Sequence, residues 1–324
     1  MKNIPKKVAI AVITFSVIGG GLSIPTYAKT IENNKAVTVN YNQVKKASIL
    51  ETRQSMKEKR TNPLVFTYNN RIYAMAGVDY TTEKNIDTIE EYNVKTNKWV
   101  VKGKAPFKGS DILTSVCQNN KVYIFNATQG KVYLYNPKDG SFKVEYDKLD
   151  KMEYNDIKAT SYNNKIYLIR GGSVEVTKCT IQEYDPINKN IKTKLEVSNV
   201  GYIASVATLG DDIYMTGEFN GFGTDKTVVK AYNPIKNILK DKASLTKPLN
   251  DGGLMTINNK LYKIGENVEV YDSINNKWKT TYSDVIKYSG YSLTAVKNKV
   301  FFIGGTNNIG AGGATNDVKA LNLK

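Results

Sequence analysis

Short hydrophobic runs, each preceded by a polar turn, recur along this chain. A polar pair, most often Asn-Asn, is followed by β-branched and aromatic residues, a pattern typical of a tight hairpin turn that leads into a strand. The six runs read NNRIYAMAG, NNKVYIFNA, NNKIYLIRG, GDDIYMTGE, NNKLYKIGE and KNKVFFIGG. Their aromatic anchors lie 39 to 50 residues apart, at Tyr73, Tyr123, Tyr167, Tyr214, Tyr262 and Phe301. A period of this length predicts a repeat architecture.

A second pattern follows each run. A Tyr is succeeded seven residues later by Trp, Phe or an aliphatic residue, in the pairs Tyr92 and Trp99, Tyr135 and Phe142, Tyr184 and Ile191, Tyr232 and Leu239, and Tyr271 and Trp278. A sixth copy, VKALNL, reaches the end of the chain before the seventh position. Another run, rich in Ala, Ser and Thr, precedes each polar turn. Each repeat therefore predicts four strands, the first of which carries small side chains.

The combined pattern resembles the kelch repeat over residues 47–324. The spacing from Tyr to Trp carries the resemblance, whereas the double glycine of the family is present in register only at Gly304–Gly305. The resemblance implies an all-β fold, a six-bladed β-propeller. The sixth repeat lacks an outer strand, and residues 47–53 belong to no repeat. We therefore expect Ser48–Thr52 to complete the last blade and close the ring, with Ile49 at the position that Trp99 holds elsewhere.

The N-terminus precedes this repeat region. Residues 1–28 combine an early lysine cluster, a long apolar run and Ala28 after a small-residue stretch, which is the pattern of a cleaved signal peptide. An uncleaved membrane anchor is the alternative. Residues 29–46 are polar and without a clear period, so they are interpreted as a flexible leader.

The charge of the chain is strongly basic. There are 46 Lys and Arg against 30 Asp and Glu, a formal net charge of +16. Such an excess is compatible with an anionic partner, such as a wall polymer or an acidic glycan. The lysines are scattered rather than gathered in a block, which favours the alternative of an ordinary solvated surface. Both interpretations remain open from the sequence.

The chain has no histidine, which limits its chemistry. Ser-His and Cys-His nucleophile pairs are excluded. Some secreted propellers of the resembled family are copper radical oxidases, but that chemistry needs His ligands. No metal or other cofactor is expected. Cys117 and Cys179 are the only cysteines, and we expect two buried free thiols rather than a disulfide, because they fall in different strand layers.

The resemblance also implies a ligand face. In propellers of this family, ligands meet the loops that lead into the inner strands and the loops between the second and third strands. The leading loops supply Arg60, Asp111, Tyr154, Asp156, Tyr202, Asp251 and Tyr291. The loops between the second and third strands supply Asp79, Tyr80, Arg170, Glu175, Glu218, Phe219 and Asn307. Guanidinium groups suit carboxylate or phosphate recognition, and aromatic rings suit stacking on a sugar or peptide.

The expected function is that of an exported, non-catalytic binding module at the cell surface or outside the cell. Its partner is expected to be a glycan, an anionic wall polymer or a protein, and not a nucleic acid. We expect a monomer without a membrane span after signal cleavage. The alternative is a metal-free sugar-modifying enzyme of the sialic acid mutarotase type. An arginine and a carboxylate converging at the mouth of the ring would favour the enzyme, and an aromatic face would favour the binder.

Overall fold

The computed structural model describes residues 27–32, 35–40, 49–152, 157–172, 177–219, 221, 223–224, 226–306 and 313–323. The chain divides into two compact units, Met1–Ser48 and Ile49–Lys324. The first unit contains an antiparallel hairpin of strands Tyr27–Glu32 and Lys35–Asn40, at the end of the predicted signal peptide and within the predicted leader. Residues 1–26, which carry most of the predicted signal peptide, lie outside the described residues.

The second unit is a ring of six four-stranded antiparallel sheets, here called blades 1 to 6 in chain order. Five blades are formed by consecutive strands, named inner, second, third and outer. Blade 1 consists of Leu64–Tyr68, Arg71–Met75, Thr88–Asn93 and Lys98–Lys104; blade 2 of Leu113–Gln118, Lys121–Asn126, Lys131–Asn136 and Ser141–Tyr146; and blade 3 of Ile157–Tyr162, Lys165–Arg170, Lys178–Asp185 and Asn190–Ser198.

The remaining blades continue the same order. Blade 4 consists of Ile203–Leu209, Asp212–Gly217, Val229–Asn233 and Ile238–Lys242; blade 5 of Gly253–Ile257, Lys260–Ile264, Val268–Asp272 and Lys277–Tyr282; and blade 6 of Ser292–Val296, Lys299–Ile303, Val318–Asn322 and Glu51–Thr52. A small hairpin of Val78–Asp79 and Lys84–Asn85 extends the loop between the second and third strands of blade 1. The predicted six-bladed, all-β fold is confirmed.

The polar pairs form the predicted turns between the inner and second strands. Asn69 and Asn70 have φ values of 47° and 58°, and the Asn pairs of blades 2, 3 and 5 are also left-handed. Asn tolerates this conformation better than most residues, which explains its recurrence at these turns. In blade 4 the two-residue turn is Gly210 and Asp211, with φ of 58° at Gly210, rather than the aspartate pair expected there.

The hydrophobic core lies between blades. One cluster joins Tyr73 and Ile89 of blade 1 to Ile124 and Tyr133 of blade 2, and equivalent clusters occupy the other interfaces. The repeated Tyr of the third strand stacks on the residue seven positions later, because these two residues face each other in the antiparallel register. The ring centroids of Tyr92 and Trp99 are 4.9 Å apart.

The N-terminal strand closes the ring. Glu51 and Thr52 pair in antiparallel register with Ala320 and Lys319 of the third strand of blade 6. Blade 1 packs its inner strand beside those of blades 2 and 6, so the first and last blades meet. This closure was predicted.

The expected position of Ile49 is wrong by one residue. Continuing the register of Glu51 and Thr52 by one residue brings Leu50 opposite Leu321, and Leu50 packs against the core between blades 5 and 6. Ile49 is 43% exposed. Leu50 therefore holds the position that corresponds to Trp99.

The two cysteines are free, as expected, but only one is buried. Cys179 lies in the core between blades 3 and 4, where burial raises the pKa of its thiol to about 12. Cys117 is exposed, contrary to expectation, because it lies on the inner strand of blade 2 next to the polar turn. The described residues include no helix that is long and apolar enough to span a membrane.

Candidate functional site

A cavity of about 730 Å³ opens where the inner strands of all six blades begin. Its walls combine the first residues of those strands with the loops that lead into them. Because successive strands of each blade are antiparallel, the loops between the second and third strands reach the same face, and Tyr80 from blade 1 joins the wall. The cavity therefore lies on the face predicted to bind a ligand.

The inner strands line the cavity with one equivalent residue from each blade. Each of these residues pairs with the residue two positions after the aromatic anchor of the second strand. They are Leu64, Thr114, Lys158, Ser205, Gly253 and Ser292. Five are uncharged. Lys158 of blade 3 is the one charged member of this ring of six.

Five of the residues predicted from sequence line the cavity. They are Tyr80, Asp111, Tyr202, Asp251 and Tyr291, which come from blades 1, 2, 4, 5 and 6. Residues that are far apart in the sequence thus converge on one space. Tyr80 is the most accessible of them, with 63% of its surface exposed.

Asp111 is held by a polar network in blade 2. Its Oδ2 accepts hydrogen bonds from Asn126 Nδ2 at 2.7 Å and from Gln129 Nε2 at 2.9 Å. Gln129 Oε1 in turn accepts the hydroxyl of Tyr133 at 2.6 Å. This network fixes the carboxylate at the cavity wall without an ion pair to a described residue.

Asp251 and Tyr291 form a polar corner between blades 5 and 6. Asp251 Oδ1 accepts the backbone N–H of Gly290 at 3.0 Å, which joins the two leading loops. Tyr291 is buried, and its hydroxyl has no hydrogen-bond partner among the described residues. Burial, followed by the negative charges of Asp251 and Glu266, raises the pKa of Tyr291. The phenol therefore stays neutral and remains a hydrogen-bond donor.

Two lysines approach the ring of Tyr202 at the blade 3 to blade 4 side of the cavity. Lys158 Nζ is 5.6 Å from the ring centroid, and Lys226 Nζ is 5.2 Å from it. Glu218 anchors this corner, because its Oε2 accepts the backbone N–H groups of Tyr202 at 3.3 Å and of Gly223 at 3.0 Å. The corner therefore combines an aromatic ring with two ammonium groups.

Arg60, predicted as a ligand residue, is instead fully buried in blade 1. Its Nη2 lies 2.8 Å from Oε1 of Glu90, which is also fully buried. Its Nη1 donates to the carbonyl oxygens of Ala76 and Thr88 at 3.0 and 3.1 Å. Burial lowers the pKa of Arg60, and the Glu90 carboxylate opposes this shift. The guanidinium stabilises the fold and does not line the cavity.

Arg170 is likewise occupied within the protein. Its Nη2 donates to the carbonyl oxygen of Asp150 at 2.9 Å, and its Nη1 lies 3.3 Å from Asp150 Oδ2. Its Nε approaches the sulfur of Met152 at 3.1 Å. The side chain of Arg170 is 90% buried beneath the loop that leads into blade 3. Neither arginine predicted for the ligand face lines the cavity.

The other predicted residues lie off the cavity wall or outside the described residues. Asp79 caps a turn by accepting the N–H of Thr81 at 3.0 Å, and Phe219 is buried in the core between blades 3 and 4. Glu218 supports Tyr202 from behind the wall. The residues outside the described part of the chain are Tyr154, Asp156, Glu175 and Asn307.

Lys158 was missed by sequence reasoning, although a signal for it exists. It lies nine residues before its aromatic anchor, and the residues nine before the other anchors are Leu64, Thr114, Ser205, Gly253 and Ser292. Aligning the six inner strands on their anchors isolates this single charge. The described residues contain no group of three or more His, Cys, Asp or Glu that could hold a metal ion.

Comparison with known proteins identifies the repeat. The family model described as the kelch motif matches residues 59–104, which form the leading loop and the four strands of blade 1. This chain is a six-bladed β-propeller with a kelch motif in blade 1. The solved structure of YjhT has a similar fold, with a TM-score of 0.66 at 14% identity, covering 84% of this chain and 97% of that one. No curated protein matches the sequence.

Proposed function

We propose that this kelch propeller is an exported, non-catalytic binding module that holds a glycan in the cavity on its axis. The observation that carries the proposal is the convergence of Tyr80, Asp111, Tyr202, Asp251 and Tyr291 from five blades on one cavity. Binding sites for small ligands combine concave shape, aromatic walls and a few fixed polar groups. The volume, about 730 Å³, falls within the usual range for such sites.

The side chains of the wall suit a sugar. An aromatic ring offers a flat apolar face to the C–H surface of a pyranose. The ring of Tyr80 is exposed and can therefore contact a sugar in the cavity. The carboxylates of Asp111 and Asp251 can accept hydrogen bonds from sugar hydroxyl groups. Asp111 is pre-positioned by its hydrogen bonds from Asn126 and Gln129, which lowers the entropic cost of binding.

A metal-free sugar-modifying enzyme of the mutarotase type is the less favoured function. The structural feature expected of such an enzyme was an arginine and a carboxylate converging at the mouth of the ring. Arg60 and Arg170 are instead engaged by Glu90 and Asp150, and the described wall of the cavity holds tyrosines, aspartates and one lysine. An anionic wall polymer and a protein remain alternative partners for the binding module.

Export is proposed on the sequence of residues 1–28 alone. The lysine cluster, the apolar run and Ala28 support cleavage after Ala28. N-terminal sequencing of the protein secreted by an expressing cell should begin at Lys29. A secreted or surface-bound protein that begins at Met1 would argue for an uncleaved anchor.

The glycan proposal is tested by titrating residues 29–324 with a panel of oligosaccharides and wall polymers in a calorimeter. We expect at least one glycan to bind, and Tyr80→Ala to weaken that binding at least tenfold. Tyr80 is largely exposed, so its removal should leave the fold intact.

Ile274→Ala is the matched control. Ile274 is 91% exposed on the turn between the third and outer strands of blade 5, on the face opposite the cavity. Its loss should not change binding. A panel in which no glycan binds the wild-type protein would overturn the proposed function, and equal weakening by both variants would place binding outside the cavity.

A further inference from the structure

We propose that the face opposite the cavity docks on a phospholipid bilayer that contains anionic lipids, and that Ile187, Ile235 and Ile274 insert into this bilayer. The proposal concerns a surface that glycan binding in the cavity does not use, so the two proposals stand or fall separately. It points the mouth of the cavity away from the membrane.

The three isoleucines occupy one equivalent position in three consecutive blades. Each lies three residues after the repeated Tyr of the third strand, in the turn that leads to the outer strand of blade 3, 4 or 5. Their exposed fractions are 79%, 68% and 91%, the highest of any large hydrophobic residue in the described part of the chain. Blades 1 and 2 carry Lys95 and Lys138 at the same position. The apolar side chains at this position are therefore confined to one arc of the ring.

The turns that carry the isoleucines share one geometry. Each has four residues between paired strand ends, and the isoleucine is the second of the four, in turns 186–189, 234–237 and 273–276. The last residue of each turn is left-handed, with φ between 49° and 53°. Turns of one length and conformation on equivalent strands present their second residue at the same level. Three apolar side chains at one level suit a flat partner.

The separation of the isoleucines favours a lipid surface over a second protein. A stable protein interface buries about 800 Å² per partner around a contiguous apolar core. Polar residues interrupt the apolar surface within every turn, and they are Asn188, Lys189, Lys236, Asn237, Asn275 and Asn276. A bilayer needs no contiguous core, because each apolar side chain enters the boundary between headgroups and acyl chains on its own.

The charges around the isoleucines favour anionic lipids. The segments 185–192, 233–240 and 272–279, together with the neighbouring turns 163–165, 210–212 and 258–260, all lie within the described part of the chain. They contain eight lysines against four aspartates, an excess of four positive charges. Glu145 of blade 2 lies 3.3 Å from Lys189 Nζ and reduces this excess to three. Lysines near an anionic leaflet add electrostatic attraction to the insertion of apolar side chains.

The test measures the binding of residues 29–324 to lipid vesicles by sedimentation. One set of vesicles contains phosphatidylcholine and phosphatidylglycerol mixed two to one, and the other contains phosphatidylcholine alone. The test variant combines Ile187→Ser, Ile235→Ser and Ile274→Ser. Because these side chains are exposed on turns, their replacement should leave the fold intact, which thermal unfolding verifies.

The matched control combines Val100→Ser, Val101→Ser and Val144→Ser. These three valines are also exposed, but they lie on the outer strands of blades 1 and 2, outside the arc of blades 3 to 5. The control therefore removes the same number of exposed β-branched side chains from a different surface. Light scattering of the wild-type protein without vesicles tests whether a second copy covers the isoleucines instead.

We expect the wild-type protein to bind the anionic vesicles at least tenfold more tightly than the neutral ones. The isoleucine variant should lose at least tenfold in affinity for the anionic vesicles, and the valine variant less than threefold. The isoleucine variant should keep its affinity for a glycan, because the cavity lies on the other face. A loss of glycan binding in this variant would overturn the separation of the two surfaces.

Four results would overturn the proposal for the bilayer. They are no binding to either kind of vesicle, equal binding to both kinds, unchanged binding in the isoleucine variant, and equal loss in the valine variant. A dimer that depends on the isoleucines and does not bind vesicles would also overturn it, and would identify a second copy of the chain as the occupant of this face.

Discussion

Tyr271 donates its hydroxyl to Oδ1 of Asn276, five residues later, at 2.7 Å. The same bond joins Tyr92 to Asn97 and Tyr232 to Asn237. Asn276 occupies a left-handed position in the turn between the third and outer strands, so a single residue forms the turn and accepts the buried hydroxyl. In blade 3, Lys189 replaces the asparagine, and the hydroxyl of Tyr184 has no hydrogen-bond partner among the described residues.

The difference between the hydroxyl groups of Tyr271 and Tyr184 can be tested with the same substitution at both positions. Tyr271→Phe should lower the free energy of unfolding by about 1 kcal/mol, because it removes one buried hydrogen bond. Tyr184→Phe should be neutral or slightly stabilising, because it removes a buried hydroxyl without a described partner. Urea unfolding of the two variants measures the difference. Equal losses would show that the hydroxyl of Tyr184 is satisfied as well as that of Tyr271.

The buried pair of Arg60 and Glu90 should be a strong determinant of stability. Arg60→Met leaves the carboxylate of Glu90 buried without its cation, which typically costs about 3–5 kcal/mol. Lys104→Met removes an exposed partner of Asp87 and should cost less than about 1 kcal/mol. The comparison is made by chemical denaturation. If Arg60→Met were as mild as Lys104→Met, the guanidinium would not be needed for the fold.

The N-terminal strand should be required for cooperative folding. A chain that begins at Arg53 keeps the loop containing Arg60 but loses Leu50 and the strand Glu51–Thr52. Glu51 alone accepts hydrogen bonds from Lys299 at 2.9 Å and Asn322 at 2.6 Å. Full burial of a leucine contributes about 1.5–3 kcal/mol, and Leu50 is partly buried, so its loss together with the hydrogen bonds of Glu51 should lower the unfolding free energy by about 2 kcal/mol relative to a chain beginning at Ile49. Superimposable melting curves would contradict closure by this strand.

The fold was predictable because its signals are local and repeated. The Asn-Asn turns and the seven-residue spacing from Tyr92 to Trp99 are fixed by strand geometry that every blade shares. The position of Ile49 was predicted wrongly because this signal is missing there. A strand of two residues is too short for a hydrophobic pattern to set its register. Leu50 was equally available to the prediction.

The site was less predictable because its signals are not local. Arg60 and Arg170 lie on the segments expected to bind a ligand, but their partners, Glu90 and Asp150, are 30 and 20 residues away in sequence, and only the folded chain shows that they are paired. Lys158 was overlooked for the opposite reason. It lies on an inner strand that contains Ala and Thr, and such strands were interpreted as packing elements. Comparing the six inner strands at the same position shows that Lys158 is the only charged residue there.

The central claim is that the ligand occupies the cavity at the leading loops. Hydrogen–deuterium exchange of residues 29–324, with and without the tightest glycan from the panel, tests it most directly. We expect slower exchange upon binding at segments 109–112, 201–205 and 250–253, which contain residues of the cavity wall, and no change at the opposite-face turns 186–189 and 273–276. Protection at those opposite-face turns, with none at the leading loops, would contradict the account.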